Sequence, residues 1–245
     1  MAAIKLIVGL GNPGREYEHT RHNAGFWFAD ELAWQWKAAF KEEKKFFGEV
    51  ARVARPEGDV WLLKPNTFMN RSGQAVAALA QFYKIKPEEI MVAHDELDIA
   101  CGRIKFKLGG GNGGHNGLKD MQARLGTPNF YRLRLGIDHP GDKNLVVGYV
   151  LNKPSAQERQ QIDEAISKSL QSMPIIMAGE FEEAMRTLHS KQPRQAVRNH
   201  QLSDGLNTYA KQSFQKRPAR LRLDDNRGVG LHFDEYLGER SGQPL

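Results

Sequence analysis

The residues best suited to chemistry in this sequence are a histidine and an aspartate that lie far apart in the chain. His22 ends a polar stretch that follows a glycine-rich turn, Gly9-Leu10-Gly11-Asn12-Pro13-Gly14. Asp95 sits in His94-Asp95-Glu96-Leu97-Asp98, at the end of an apolar run that reads as a strand. Sites in open α/β sheets gather at the C-terminal ends of strands. If the strands leading to Asn12 and Asp95 are neighbours, His22 and Asp95 can meet. A carboxylate on one imidazole nitrogen fixes the tautomer and leaves the other nitrogen as a base. The simplest chemistry is then a water activated by the pair, with amide side chains polarising a carbonyl.

Other chemistries are less well supplied. The turn at 9–14 fits G-x-G-x-x-G after a strand, the spacing of a dinucleotide cradle. The cradle also needs a helix carrying the third glycine and an acidic residue closing a second strand about 20 positions on. Here Gly14 leads into polar loop, and Asp30 and Glu31 fall inside a helical pattern. The turn is therefore expected to present Asn12 rather than a pyrophosphate site. A second glycine-rich stretch, 109–117, ends in His115-Asn116-Gly117 and lacks the Gly-Lys-Ser/Thr of a triphosphate loop. Asn116 there is either an N-cap or a ligand contact. There is no G-x-S-x-G elbow and no His-Glu-x-x-His. The lone Cys101 reads as incidental. His94, Asp95, Asp98 and His115 could be assembled around a metal, but nothing in their spacing demands one.

These residues need elements to position them. Strands are expected over 4–10, 46–54, 60–64, 90–94, 103–108 and 131–137, the last two half-exposed because Arg or Lys alternates with apolar residues. Helices are expected over 23–40 with Asn23 as N-cap, and over 72–83, 118–125, 155–172 and 180–189. Residues 65–70 form a polar loop with Phe68 and Met69 exposed. This alternation predicts an α/β fold: a single layered domain over 1–190 with a twisted mixed β-sheet flanked by helices, plus a C-terminal extension.

The charge balance is +6 and the sequence pI about 9.4, which points mildly toward an anionic partner. Much of the excess lies in 191–245, with ten Lys/Arg against six Asp/Glu. That stretch lacks long apolar faces and is expected to be a polar, basic, largely disordered extension, or an arm that tracks an RNA backbone. One cysteine allows no intrachain disulfide, and no apolar run nears the roughly 20 residues of a membrane span. No signal peptide is legible, so a cytoplasmic protein is expected.

Five separated motifs in order carry a resemblance. They are Gly9 to Gly14, Arg21-His22-Asn23, Phe68-Met69-Asn70-Arg71-Ser72-Gly73, His94 to Asp98, and Gly109 to Gly117 followed by Lys119-Asp120. Together they resemble the bacterial peptidyl-tRNA hydrolase family over about 4–190, and not over the extension. The resemblance implies a monomeric esterase that cleaves the ester between a peptide and the 3′ end of tRNA, with no metal or cofactor. It implies His22 as general base, Asp95 as its supporting carboxylate and Asn12 as the residue that separates N-blocked from free esters. Tyr17, Phe68, Asn70 and Asn116 match substrate contacts, with Met69 lining the same cleft. Lys107 and Arg134 resemble a basic pair that grips the tRNA 5′-phosphate end. Cys101 departs from an expected Pro. Two other readings stay open, a non-catalytic RNA-binding relative and a metal-dependent hydrolase.

Overall fold

The structure, a computed structural model, describes residues 3–190. The expectations for 191–245 lie outside the described residues.

Seven strands form one mixed sheet in the order β2-β3-β4-β1-β5-β7-β6. They are β1 (Leu6–Gly9), β2 (Lys41–Glu43), β3 (Gly48–Val53), β4 (Val60–Pro65), β5 (Ile90–Glu96), β6 (Ile104–Leu108) and β7 (Tyr131–Gly136). The central four, β4, β1, β5 and β7, run parallel, while β3 lies antiparallel to β4, and β6 antiparallel to β7. β1 and β5 are direct neighbours, with Val8 opposite Val92 and Gly9 opposite Ala93. The strand ends carrying Asn12 and Asp95 therefore emerge side by side.

Helices cover both faces. They are α1 (Ala24–Gln35), α2 (Ser72–Phe82), α3 (Asn116–Leu125), α4 (Val146–Val150), α5 (Ala156–Gln171), α6 (Met173–Met177) and α7 (Phe181–His189). Strand side chains alternate between two cores, as a period of two requires. Ile7, Met91, Ala93, Leu133 and Leu135 pack with residues of α1, α5, α6 and α7. Leu6, Val8, Ile90 and Val92 pack with residues of α2 and α3. Burial on both faces explains why the central strands read as unbroken apolar runs.

The short elements β2, α4 and α6 were not legible in the sequence, and α1 stops at Gln35 rather than reaching residue 40. The larger correction concerns β7. It is an interior strand between β5 and β6, and Arg132 is only 1% exposed. Arg-Leu alternation marked it as half-exposed, but its arginine is buried against backbone carbonyls. Among the described residues no helix is long and apolar enough to cross a membrane.

Close approach of α1 to β1 sets the geometry of the turn. A Cβ at Gly25 would lie 2.3 Å from the Ala93 carbonyl oxygen and 2.5 Å from the Leu10 nitrogen. A Cβ at Gly9 would lie 2.3 Å from the Gly25 carbonyl oxygen. Only glycine allows these backbones to touch. The helix that packs on the first turn therefore begins at Ala24, ten residues past the last glycine of the motif.

Candidate active site

Asp95 is the hub of the site. It is 3% exposed, near the end of β5. Both of its carboxylate oxygens lie 3.0 Å from His22 Nδ1, and Oδ1 lies 2.9 Å from His115 Nε2. Burial by itself would raise the Asp95 carboxyl, but the His22 and His115 rings outweigh it and hold the group well below the usual carboxylate range. An ionised carboxylate only accepts, so both facing ring nitrogens carry their protons. For His115 this leaves Nδ1 as the acceptor, and it takes the Leu118 N–H at 3.4 Å as the N-cap of α3. For His22 it leaves Nε2 with a free lone pair, on a side chain 9% exposed.

His22 stands on a 3-10 turn, Arg21–Asn23, whose two flanking residues hold it in place. The Arg21 guanidinium reaches the carbonyl oxygens of Tyr149 and Asn152, pairs with Glu158 at 3.0 Å and stacks 4.0 Å from the Tyr149 ring centre. Glu158 is itself fixed by a capping box with Ser155 at the start of α5. Asn23 occupies the N-cap position of α1 but makes no capping bond there. Its side chain instead grips the Asn12 peptide, accepting from Asn12 N at 2.8 Å and donating to Asn12 O at 2.9 Å.

Asn12 is 1% exposed. Its Oδ1 accepts the Met69 N–H at 2.7 Å, which fixes which way round the amide sits. Its Nδ2 is then a buried donor with no partner among the described residues. Such a group is costly unless something accepts from it. His94, next to the hub, is inert by comparison. Its ring donates from Nδ1 to the Asp95 carbonyl oxygen at 2.7 Å, and burial and the neighbouring His115 push its pKa down to about 3.

Comparison with known proteins decides the kinship. The peptidyl-tRNA hydrolase family profile matches residues 6–196. A peptidyl-tRNA hydrolase of Neisseria meningitidis serogroup C (strain 053442) is 81% identical over 188 residues, covering 77% of this chain and 98% of the relative. One from Serratia proteamaculans (strain 568) is 59% identical over 191 residues, covering 78% and 97%. The crystal structure of peptidyl-tRNA hydrolase from Acinetobacter baumannii superposes with a TM-score of 0.75 at 49% identity, covering 79% and 98%. This chain belongs to the peptidyl-tRNA hydrolase family.

Within that family frame the remaining expected residues can be placed. Tyr17 and Phe68 meet edge to face with ring centres 6.3 Å apart, and Phe68 is 42% exposed. Asn70 and Asn116 are both exposed, Asn70 just before α2 and Asn116 at the first turn of α3. Met69 departs from expectation. It is buried at 1% and meets the site through its backbone N–H rather than as an exposed side chain. Asn116 is not the N-cap of α3; His115 is.

Lys107 and Arg134 share one sheet face, because Lys107 lies opposite Arg132 and Lys105 opposite Arg134. Arg134 already pairs with Glu96 at 2.9 Å. Burial, then Arg134 and Arg132, lower the Lys107 pKa, and Glu96 opposes them only in part. Lys105, exposed on the same face, is a third cation that sequence reasoning did not single out.

Asn23 and Arg21 were missed as site residues, and His115 was named only as a possible metal ligand. His115 carried a weak signal, since it follows a glycine-rich loop and precedes a helix. His22 Nδ1, one Asp95 oxygen and His115 Nε2 lie within 4.8 Å of one another and could hold a metal ion. His94 and Asp98, which the sequence offered only as possible members of such a set, are not in it, and Asp98 is exposed.

Proposed function

We propose that His22, with Asp95 behind it, is the general base with which this chain hydrolyses the ester of peptidyl-tRNA. The observation that carries the reading is the bond from His22 Nδ1 to Asp95, which commits one ring nitrogen and leaves Nε2 to face a water. Nε2 takes a proton as the water oxygen attacks the ester carbonyl. The carbonyl oxygen gains negative charge and accepts from Asn12 Nδ2, the buried donor that has no partner among the described residues. Collapse breaks the bond to the ribose oxygen at the 3′ end of tRNA, and the His22 imidazolium returns its proton to that oxygen. Peptide acid and free tRNA result.

The other expected residues fit roles in holding this substrate. The Asn70 and Asn116 amides each offer donors and an acceptor, which suits main-chain groups of a peptide of any sequence. Tyr17 and Phe68 form an aromatic wall. Lys107, Arg134 and Lys105 offer sequence-independent contacts to the tRNA phosphate end. The enzyme acts as a monomer in the cytoplasm, and its partner is peptidyl-tRNA.

The test is release of N-blocked peptide from tRNA by the wild type and by His22→Ala. A loss of roughly 10²–10⁴-fold in kcat is expected from removing a general base. Undiminished turnover would sink the mechanism. Tight tRNA binding with no turnover in the wild type would favour a non-catalytic relative instead.

A further inference from the structure

His115 and the substrate amide Asn116 follow a glycine-rich loop held at only a few points: Gly109 N–H donates to the Phe130 carbonyl oxygen, Gln122 Nε2 to the Gly110 carbonyl oxygen at 3.0 Å, and Gly114 N–H to Asn112 Oδ1 at 2.9 Å. Residues 109–114 include five glycines, four of them at positive φ: Gly109, Gly110, Gly113 and Gly114. Such a segment has more backbone freedom to lose than any other composition. Yet His115 must hold Nε2 at 2.9 Å from Asp95. Something outside the loop has to fix its path.

Arg132 does this from beneath. Its side chain lies on the α2/α3 face of β7, opposite Lys107. The guanidinium donates to three carbonyl oxygens: Nη1 to Gly111 (a short contact), Nη2 to Gly110 at 2.7 Å and Nη2 to Pro128 at 3.2 Å. It also sits 4.7 Å from the Phe130 ring centre, and its buried Nε has no partner among the described residues. A planar fork can hold two successive carbonyls at once, which an ammonium on a flexible stem cannot. Lys107, on the same sheet face, also lies against this loop, since a Cβ at Gly110 would lie 2.5 Å from its Nζ.

We propose that Arg132 is a positioning residue: its buried guanidinium pins the 110–111 backbone so that His115 reaches Asp95 and Asn116 reaches substrate. The proposal builds on the site assigned above but gives Arg132 a task different from phosphate contact. Arg132 is too deeply buried, and too fully engaged with carbonyls, to serve as a third phosphate ligand beside Lys107 and Arg134. Its charge still adds to the cationic face, so the loop and the phosphate-binding face share one residue.

The experiment compares Arg132→Lys and Arg132→Met with Lys107→Gln on two substrates. One is an N-blocked aminoacyl-tRNA with its 5′-phosphate. The other is the same ester on a short CCA-ended oligonucleotide without that phosphate. For both Arg132 variants, kcat should fall about 10- to 100-fold on both substrates, with KM changed little. Lys107→Gln should raise KM chiefly on the phosphate-bearing substrate, the opposite split from the Arg132 variants. Amide hydrogen exchange, read in the same Arg132→Lys protein, should quicken across 109–116 while the β1 and β5 amides stay protected. This arm needs no turnover, so it separates failure of the proposal from failure of the His22 mechanism. It also keeps the proposal falsifiable when Arg132→Met does not fold. The idea is overturned if lysine restores full activity, if the loss is confined to KM on the phosphate-bearing substrate, or if exchange across the loop is unchanged.

Discussion

Asn12 carries the sharpest test of the chemistry at single-residue scale. Its Oδ1 is spoken for by the Met69 N–H, and its buried Nδ2 has no acceptor among the described residues. Asn12→Asp keeps the oxygen that Met69 needs and replaces the free donor by a second acceptor. The fold should survive, while kcat should fall about 10²–10³-fold, the usual cost of losing one oxyanion donor. Retained fold with retained kcat would remove Asn12 from the reaction. His22, Asp95 and Asn12 were picked out in the sequence because Asn12 and Asp95 follow strand-like runs and His22 lies just past the glycine-rich turn. Their precise partners were not legible. Asn23 reads as an N-cap from its place before an apolar helix, and only the folded chain shows its amide spent on the Asn12 peptide instead. His115 was hidden for a similar reason. Its role depends on the path of a glycine loop, and a glycine loop leaves no periodic trace.

Elements matter here mainly through how closely they approach. Helix α1 lies against the end of β1 because Gly25 has no side chain. Gly25→Ala would drive a Cβ into three backbone atoms of Leu10 and Ala93 within 2.5 Å. Overpacking of this kind typically costs about 1–3 kcal/mol, and rigid backbone on the receiving side argues for the upper end. The midpoint of urea unfolding should drop accordingly, and activity should fall with it because His22 stands just before α1. A variant as stable as the wild type would show that α1 can lift off the strand without penalty. The sequence showed these elements where their periodicity was strong. The buried parallel strands and the amphipathic α5 and α7 were found to within a few residues. β2, α4 and α6 were not found, since three to five residues give no measurable period. β7 was found but misjudged. An Arg-Leu alternation looks the same whether the arginine meets water or buried carbonyls.

For the whole molecule, the buried histidines tie stability to pH. His94 is pushed from an ordinary 6.5 down to about 3. Between those values the unfolded chain takes up a proton that the folded chain refuses. Stability therefore falls as pH drops through that window, by about 1.4 kcal/mol per unit from this one group, and His94 has no effect above it. His189, lowered chiefly by burial, works in the same direction. Asp95 adds its own loss lower down: held below the usual carboxylate range, it stabilises above about pH 4 and ceases to as it is protonated. Unfolding midpoints between pH 7 and 4.5 should show the decline, and His94→Gln should flatten it while lowering stability throughout. An unchanged slope in that variant would mean the decline comes from other groups.

The strand order also governs when the enzyme can first exist as its chain is made. β6 precedes β7 in sequence, yet it touches the sheet only through β7, which slots in between β5 and β6. Until residue 136 has been synthesised and released from the exit tunnel, β6 has no strand to pair with and the cationic face is missing half its charges. Asn12 and His22 are made early but must wait for Asp95, then His115, then Arg132. Arg21 waits longer still, for Tyr149, Asn152 and Glu158, so a chain that ends at residue 136 is expected to lack the anchored site.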